Sequence, residues 1–228
     1  MRMKLYLGLA AVVAVLGGWG CATAPRGGAA PSLTAGANGD FPGWRSFSEQ
    51  SDTALAAVWR METNGVLTCR GTPKGYLFTE KDYTNFKIEL EWRLPPGATQ
   101  NHGGILVRLT GAHSIWPRSL EFQLNQGQAG DFWGLRGFVF TGPEDRYRVL
   151  TDTPFGTLRH LRRFRDMEKP AGQWNRFEAV VQGDTAVQKI NGVTVNRAVG
   201  CDVVAGKIAL TAEGEEIQFR NVRITPLP

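Results

Sequence analysis

The chain has few residues of the kinds that usually hold metal ions. Its 228 residues include three cysteines and three histidines. His102, His113 and His160 lie far apart, and no set of His or Cys residues has the close spacing of a zinc site. No segment resembles an EF-hand loop, although carboxylates and carbonyl oxygens can bind calcium in other arrangements. We therefore expect no cofactor and no metal site, with a divalent cation as the alternative.

Signatures of several enzyme classes are also missing. There is no Gly-x-Ser-x-Gly motif, so a serine nucleophile has no support. The chain shows no alternation of strands and helices, no glycine-rich dinucleotide loop and no phosphate loop, which excludes doubly wound nucleotide-binding folds. Its 28 glycines and 12 prolines are dispersed, which excludes a collagen-like rod and indicates a turn-rich globular domain.

The chain lacks a strong charge of either sign. Its net charge is +5, and it falls to +3 if Arg2 and Lys4 are removed with a leader. Four arginines lie within residues 159–165, but Asp166 and Glu168 follow them and no aromatic ladder is interleaved. We therefore expect no nucleic-acid partner, and we interpret the arginine run as a solvated or substrate-rim segment.

No apolar run is long enough to cross a membrane comfortably. Residues 5–16 form a run of twelve apolar residues, whereas a transmembrane helix needs about 20. Arg2 and Lys4 precede this run and small residues follow it, which is typical of an export signal. We predict a signal peptide over residues 1–20 and an exported protein of the bacterial cell envelope or periplasm.

Cys21 decides how the exported protein is attached. It follows Gly20, as the lipidated cysteine of a bacterial lipoprotein follows a small residue, although Gly18 and Trp19 depart from such signals. We predict lipidation at Cys21, which makes a lipid anchor the sole membrane contact. Ordinary cleavage near Ala24 is the alternative.

The segment after the predicted signal is poor in bulky residues. Residues 21–40 are mostly Ala, Gly, Pro, Ser and Thr, and they predict a flexible tether before a domain over residues 41–228. In an oxidising compartment Cys69 and Cys201 either form a bridge or remain free and buried. The sequence does not indicate an oligomeric state.

Within the domain the dominant hydrophobic period is two, which indicates strands. Tight-turn pairs such as Asn64-Gly65 and Asn191-Gly192 separate several of the runs. Two short stretches, 51–58 and 157–167, are the helical candidates. The pattern predicts an all-β fold, a two-sheet antiparallel sandwich of eleven strands. These are 57–63, 66–70, 75–79, 86–94, 104–109, 119–124, 137–140, 176–182, 185–190, 207–212 and 217–225.

Three of the predicted strands have one polar side. If these strands are neighbours, their polar side chains line a single surface. That surface is either the solvated outer face of a sheet or a shallow carbohydrate cleft, which the nearby loop residues Trp116 and Trp133 favour. The polar residues are Glu91, Arg93, Arg108, Glu121 and Gln123.

A set of motifs follows in order along residues 41–226. It comprises GYLFTEKDYTNF at 75–86, EWR at 91–93, GGILVR at 103–108, WPRSLEFQL at 116–124, GDFW at 130–133, EKP at 168–170 and GQWN at 172–175. The ordered set resembles the 3-keto-disaccharide hydrolase family, long known as a domain of unknown function. The resemblance implies a concanavalin-like jelly roll that binds its ligand on the concave sheet.

The resemblance also implies cleavage of glycosides whose C3 hydroxyl has been oxidised to a ketone. A ketone acidifies the hydrogen on C2, so that a base can remove it while the C1 substituent leaves by β-elimination. Water then adds to the unsaturated sugar. The paired carboxylates of ordinary glycosidases are not obligatory for such a reaction.

This chemistry needs a base, a stabiliser of the enolate oxygen and an acid. We predict Glu121 as base or acid, Arg108 as oxyanion holder and His102 as a second proton-transfer group. The predicted substrate-binding residues are Arg93, Glu91, Gln123, Asp131, Trp133 and Lys169. Alternatively, Arg108 pairs with Glu121 across strands and His102 is an ordinary loop residue, while Glu213 and Arg220 form a pair beside the cleft.

The chain departs from the family pattern at Thr211, Ala212 and Asn125. If these residues touch substrate, specificity could differ or activity could be absent. The alternative function is therefore a noncatalytic carbohydrate-binding module tethered at the cell envelope. A structural envelope protein is a third hypothesis, which the polar face disfavours.

Overall fold

The computed structural model describes residues 32–228, which contain fifteen strands and one short helix. The strands are β1 (Trp44–Ser48), β2 (Trp59–Met61), β3 (Leu67–Cys69), β4 (Gly75–Thr79), β5 (Phe86–Arg93), β6 (Gly104–Thr110), β7 (Arg118–Gln123), β8 (Phe132–Leu135), β9 (Tyr147–Thr153), β10 (Gly156–Leu161), β11 (Asn175–Gln182), β12 (Thr185–Ile190), β13 (Val193–Ala198), β14 (Lys207–Ala212) and β15 (Ile217–Pro226). Helix α1 (Leu55–Val58) lies between β1 and β2.

The strands form two antiparallel sheets. An eight-stranded sheet has the order β1-β4-β14-β6-β7-β8-β10-β9, and a seven-stranded sheet has the order β13-β12-β11-β5-β15-β3-β2. Neighbours in each sheet are often distant in the chain, as β4, β14 and β6 are. The predicted all-β, two-sheet jelly-roll sandwich is confirmed.

The main core lies between the two sheets. Alternate residues of β5 are buried, as period two requires, and Trp92 is fully buried. Phe122 of the eight-stranded sheet contacts Phe177 of the seven-stranded sheet, with ring centroids 5.5 Å apart in an edge-on arrangement. Because both rings are fully buried, this contact fixes the spacing between the sheets at the centre of the sandwich.

A second apolar cluster covers part of the outer face of the eight-stranded sheet, the face turned away from the main core. Its buried members are Tyr76, Phe78, Leu106, Leu109, Leu135 and Ala209. The strands beneath it are therefore buried on both sides: every residue of β6 except the last is buried. A solvated outer face would leave alternate residues exposed, whereas here side chains of the same chain, Phe47, Trp116, Trp133 and Leu158, pack against the cluster.

Several predicted elements differ from the structure. Residues 137–140 are not a strand, and the predicted helix at 157–167 is wrong because Gly156–Leu161 is strand β10. Strand β10 pairs with both β8 and β9, and these cross-strand bonds override a local pattern that fits a helix. Strands β1, β8, β9 and β13 were also not among the predicted strands.

Part of the predicted tether contacts the domain. Ser32 forms an isolated bridge with Arg223, the backbone N–H of Leu33 donates to the carbonyl of Val222 at 3.1 Å, and the Leu33 side chain is buried. The folded unit thus extends to residue 32. The predicted signal peptide, Cys21 and residues 21–31 lie outside the described residues. Within the described part, no helix is long and apolar enough to cross a membrane.

The two domain cysteines are free and buried. Of the two alternatives, the structure therefore has the free thiols and not the bridge. Burial raises the pKa of both Cys69 and Cys201 to about 12. Thiols with such pKa values stay protonated at neutral pH and are poor nucleophiles.

Candidate active site

A cleft of about 220 Å³ opens on the outer face of the eight-stranded sheet. Strands β7 and β8 form its floor, and the segments before β6, before β7, around the β9–β10 turn and after β14 form its walls. Its lining residues are His102, Trp116, Glu121, Gln123, Asn125, Trp133, Leu135, Phe155, Leu158 and Glu213.

Glu121 lies at the centre of the floor. Leu120 and Phe122 point into the main core, so Glu121 and Gln123 point to the outer face, as the alternation predicted. Glu121 pairs with Leu106 of β6 and with Trp133 of β8, and it is only 5% exposed. Burial raises the pKa of its carboxyl well above the ordinary value, and the negative charge of Glu213 raises it further.

Glu213 is the second carboxyl of the cleft. Burial raises its pKa, while a hydrogen bond with Thr211 and the charges of His102 and Lys74 act in the opposite direction. Its Oε1 is buried without a hydrogen-bond partner among residues 32–228. The predicted pairing of Glu213 with Arg220 is wrong, because Arg220 binds Glu91 on the other sheet.

Gln123 is held in one orientation by Trp133. The indole N–H of Trp133 donates to Oε1 of Gln123 at 3.1 Å, so the amide oxygen is engaged and the amide NH₂ remains as a donor on the cleft side. The Trp133 ring stacks on His160 with centroids 4.2 Å apart. The structure therefore places both predicted residues, Gln123 and Trp133, in the cleft.

Asp131 supports this wall from behind. It is buried, and its Oδ2 lies 2.8 Å from Nε2 of His160. The backbone N–H of Arg163 donates to its other carboxylate oxygen at 2.9 Å. Asp131 thus orients His160, and the His160 ring stacks on Trp133. Asp131 does not line the cleft and acts on it through His160.

His102 and Asn125 lie at the polar end of the cleft. His102 is exposed, and its Nδ1 is 3.1 Å from Oε2 of Glu215. Asn125 accepts a hydrogen bond from the backbone N–H of Gly103 at 2.9 Å through its side-chain oxygen. Of the three departures from the family pattern, Asn125 lines the cleft. Thr211 does not line it and accepts a hydrogen bond from Gly104 N–H at 2.6 Å.

Arg108 does not lie in the cleft, which corrects its predicted role as an oxyanion holder and the alternative pairing with Glu121. It has a φ of 49°, and the register of β6 shifts between Val107 and Thr110. At such a bulge the in-out alternation fails. Arg108 is fully buried, and its guanidinium donates to the carbonyls of Thr84, Gly183 and Asp202 at 2.6 to 3.1 Å.

Glu91, Arg93 and Lys169 are also absent from the cleft. Strand β5 belongs to the seven-stranded sheet, so Glu91 and Arg93 face away from the sandwich on the opposite side. Arg93 donates to Gln218 at 2.7 Å and lies over the ring of Trp174. Exposed Lys169 donates to the Trp174 carbonyl at 3.1 Å. The prediction that these strands share one surface is wrong.

The sequence analysis missed Leu135, Phe155 and Leu158 as cleft residues, and it placed Glu213 beside the cleft only as a partner of Arg220. Phe155 and Leu158 belong to the β9–β10 hairpin, which the sequence pattern did not predict. Glu213 follows β14. The feature of the sequence that could have indicated a site residue is a carboxylate placed between the end of a predicted strand and a glycine. Within the described part of the chain, no group of three or more His, Cys, Asp or Glu residues is placed to hold a metal ion.

Comparison with known proteins places this geometry in a family. The model of the 3-keto-alpha-glucoside-1,2-lyase-like domain matches residues 32–225. The chain belongs to this family. The match covers β1 to β14, all of β15 except Pro226, and the whole cleft, and it confirms the resemblance that the ordered motifs indicated. Comparison with the curated proteins gives no match.

Solved structures share the fold of this lyase-like domain. A Parabacteroides distasonis protein provisionally classed as a glycosyl hydrolase is 20% identical, with a TM-score of 0.55, over 81% of this chain and 99% of that one. The carbohydrate-binding module CBM66 from Bacillus subtilis is 11% identical, with a TM-score of 0.56, over 80% and 95%. A Bacillus licheniformis beta-glucanase is 10% identical, with a TM-score of 0.52, over 81% and 92%. At these identities the likeness establishes the concanavalin-like fold.

Proposed function

We propose that the domain cleaves glycosides that carry a ketone at C3, by β-elimination followed by hydration. The observation that carries this proposal is the buried carboxyl of Glu121 at the centre of the cleft floor, with its raised pKa. The description of the matching family supports a carbohydrate substrate with this oxidation. Each step can be assigned to a residue that the cleft brings together.

Glu121 is the base in this proposal. As a carboxylate it takes the proton from C2, and the electrons of the C–H bond form the C1=C2 double bond while the bond from C1 to the aglycone oxygen breaks. The protonated Glu121 then returns a proton to the departing oxygen. A carboxyl with a raised pKa suits both roles, because proton transfer is most efficient when the pKa lies near the working pH.

Gln123 and His102 stabilise the enolate. Removal of the C2 proton places negative charge on the C3 oxygen, which needs donors held in advance. The amide NH₂ of Gln123 is such a donor, because Trp133 fixes the other end of the amide. His102 stands at the same end of the cleft, and its bond to Glu215 orients its ring. These two residues replace Arg108, which the structure removes from the site.

Hydration completes the net hydrolysis. Water adds its oxygen to C1 and a proton to C2 of the unsaturated ketone, and this restores the 3-keto sugar in the free form. Glu121 has reached its starting state once it has returned the first proton, so it is available to direct this water. The balance is one water consumed for each glycosidic bond cleaved, with no oxidant or reductant.

The reaction is tested with a 3-keto glucoside in D₂O. Elimination must break the C2–H bond, so the released 3-keto sugar is expected to carry deuterium at C2, and the aglycone is released at the same rate. The 3-keto sugar incubated without enzyme measures spontaneous exchange. Cleavage that leaves hydrogen at C2 would contradict elimination. Binding of the substrate without cleavage would instead support the carbohydrate-binding alternative.

A matched pair of variants tests the base. We expect Glu121→Gln to lower kcat by at least about 100-fold, since general base catalysis contributes roughly that much or more. Glu89→Gln removes a carboxyl on the outer face of the other sheet, where Glu89 pairs with Lys87, and is expected to leave kcat unchanged. A Glu121→Gln variant with the parent rate would remove Glu121 from the mechanism.

We also propose that the domain acts outside the cytoplasm, attached through a lipid on Cys21. The support is the sequence of residues 1–21, which lie outside the described residues. Metabolic labelling with a palmitate analogue is expected to mark the full chain and not its Cys21→Ser variant. No labelling of either chain would favour ordinary signal cleavage near Ala24, and equal labelling of the two would place the lipid at a site other than Cys21.

A further inference from the structure

The cleft has two ends of different chemistry, and the strand register separates them. Successive residues on one face of a strand lie about 6.6 Å apart. On β7, Gln123 is one such step from Glu121, and Ser119 is one step in the other direction. Strand β6 begins with Gly104 opposite Gln123. The cleft residues that lie beyond this point are His102, which precedes β6, Asn125, which follows β7, and Glu213, which follows β14. The polar residues therefore share one end.

The other end of the cleft is apolar. Leu135 pairs with Ser119, and Leu158 is one same-face step from His160, which pairs with Trp133. Both leucines therefore lie level with Ser119, which is one same-face step from Glu121 in the direction opposite to Gln123. Leu135 is buried, and Leu158 is half-buried on the cleft wall.

Two aromatic side chains close the apolar end. Trp116 precedes β7, Phe155 lies in the turn between β9 and β10, and both line the cleft. Their ring centroids are 4.9 Å apart and the rings are nearly perpendicular. The indole N–H of Trp116 is the sole polar side-chain atom among Trp116, Leu135, Phe155 and Leu158, and the Lys74 ammonium lies over the Trp116 ring, 5.7 Å from its centroid.

This division indicates which part of a substrate lies at each end. If Glu121 acts at C2, then C3 and its oxygen point to the donors of the polar end. C1 and its substituent then point to the apolar end. A second sugar placed there would lose water from its hydroxyl groups and would find one side-chain donor, the indole N–H of Trp116, among these four residues, which is costly. An apolar group would gain from the burial of its surface.

We propose that the apolar end is an aglycone subsite for an alkyl or aromatic group, so that the substrates are glycosides of apolar alcohols or phenols and not disaccharides. The orientation of the sugar in this proposal rests on the proposed function, whereas the preference for an apolar substituent follows from the lining residues alone. The two can therefore be tested separately.

The first measurement does not require turnover. Methyl, cyclohexyl and glucosyl glucosides of one anomer, not oxidised at C3, are titrated against the purified protein and followed by calorimetry. We expect the cyclohexyl glucoside to bind at least about tenfold more tightly than the methyl glucoside, because its ring is buried against the leucines. The glucosyl glucoside is expected to bind no better than the methyl compound. Equal affinities, tighter binding of the glucosyl compound, or no binding by any of the three would overturn the proposal.

A pair of leucine variants locates the subsite. Leu158→Asn is expected to remove the tenfold advantage of the cyclohexyl glucoside and to leave methyl glucoside affinity within about twofold. Leu150→Asn is the control, because Leu150 pairs with Leu158 on the neighbouring strand, is exposed and does not line the cleft. If Leu158→Asn fails to fold, Phe155→Ser in the adjacent turn serves instead. An unchanged advantage in a folded variant would place the subsite elsewhere.

The second measurement uses the 3-keto forms of the same glucosides. Cyclohexanol and methanol are similar leaving groups, so kcat/KM is expected to favour the cyclohexyl compound by the same factor as binding. If the unoxidised compounds bind with the expected preference and no 3-keto glucoside is cleaved, the proposed reaction fails and the subsite stands. If cleavage occurs with no preference in either measurement, the subsite fails and the reaction stands.

Discussion

The carboxyl of Glu121 lies directly against the backbone of Gly104 on the neighbouring strand. A Cβ atom at Gly104 would stand 2.5 Å from Oε1 of Glu121, closer than any ordinary contact. The backbone N–H of Gly104 donates to Thr211 at 2.6 Å, so the strand cannot move away without losing that bond. The absence of a side chain at Gly104 is therefore a condition for the position of the proposed base.

This contact predicts the effect of Gly104→Ala. The added methyl group meets the flexible end of Glu121, so the fold is expected to survive while the carboxyl moves aside. We expect kcat/KM on a 3-keto glucoside to fall by about 100-fold, the usual result of displacing a reacting group by about 1 Å. Thermal unfolding serves as the control for folding. Parent activity in this variant would show that Glu121 does not act from its observed position.

The burial of Glu121 predicts a pH-dependent effect on stability. Its folded-state pKa is raised, so its favourable contribution is fully present below the unfolded pKa and is lost as pH rises through the folded pKa. Glu121→Gln mimics the protonated form at all pH values. We expect the variant to match the parent in acid and to exceed it by roughly 1 to 3 kcal/mol in unfolding free energy at alkaline pH.

Urea denaturation at a series of pH values measures this difference. A catalytic carboxyl that destabilises the fold is a common compromise in enzymes. A stability difference that does not change with pH would mean that Glu121 has an ordinary pKa in the folded state.

The charge of Glu213 predicts a shift in the pH profile. Glu213 raises the pKa of Glu121, so Glu213→Gln is expected to lower that pKa. The base form of Glu121 then persists to lower pH, and the acidic limb of the kcat/KM profile moves in the acid direction. The comparison variant is Glu215→Gln, because Glu215 is also a carboxylate near the cleft but lies at its exposed end, beside His102. A limb that moves to higher pH would contradict the proposed coupling.

The position of Arg108 predicts a structural effect. Arg108→Met leaves the carbonyls of Thr84, Gly183 and Asp202 without their buried donor. We expect the unfolding free energy to fall by about 3 kcal/mol or more. Arg93→Met, on the outer face of the other sheet, is expected to cost about 1 kcal/mol or less. Equal losses of stability in the two variants would contradict this account.

The alternation of single strands was predictable and the assembly of those strands was not. Period two correctly placed Glu121 and Gln123 on one side of β7, because side-chain direction in a strand is a local property. The same reasoning placed Glu91 and Arg93 with them, and it failed because β5 lies in the other sheet. At Arg108 even the local pattern failed, since one extra residue at a bulge reverses the direction of the side chain.

The sequence by itself determined the all-β class, through the period of its apolar residues, and the family, through motifs that hold their order over the whole domain. The tertiary structure alone decided which polar residues meet. Strands that are neighbours in the eight-stranded sheet come from segments as far apart as β4 and β14, where Leu77 pairs with Leu210, and hydrogen bonds between such strands depend on the whole chain. Glu121, Glu213 and the apolar wall of the hairpin therefore form one cleft only in the folded protein.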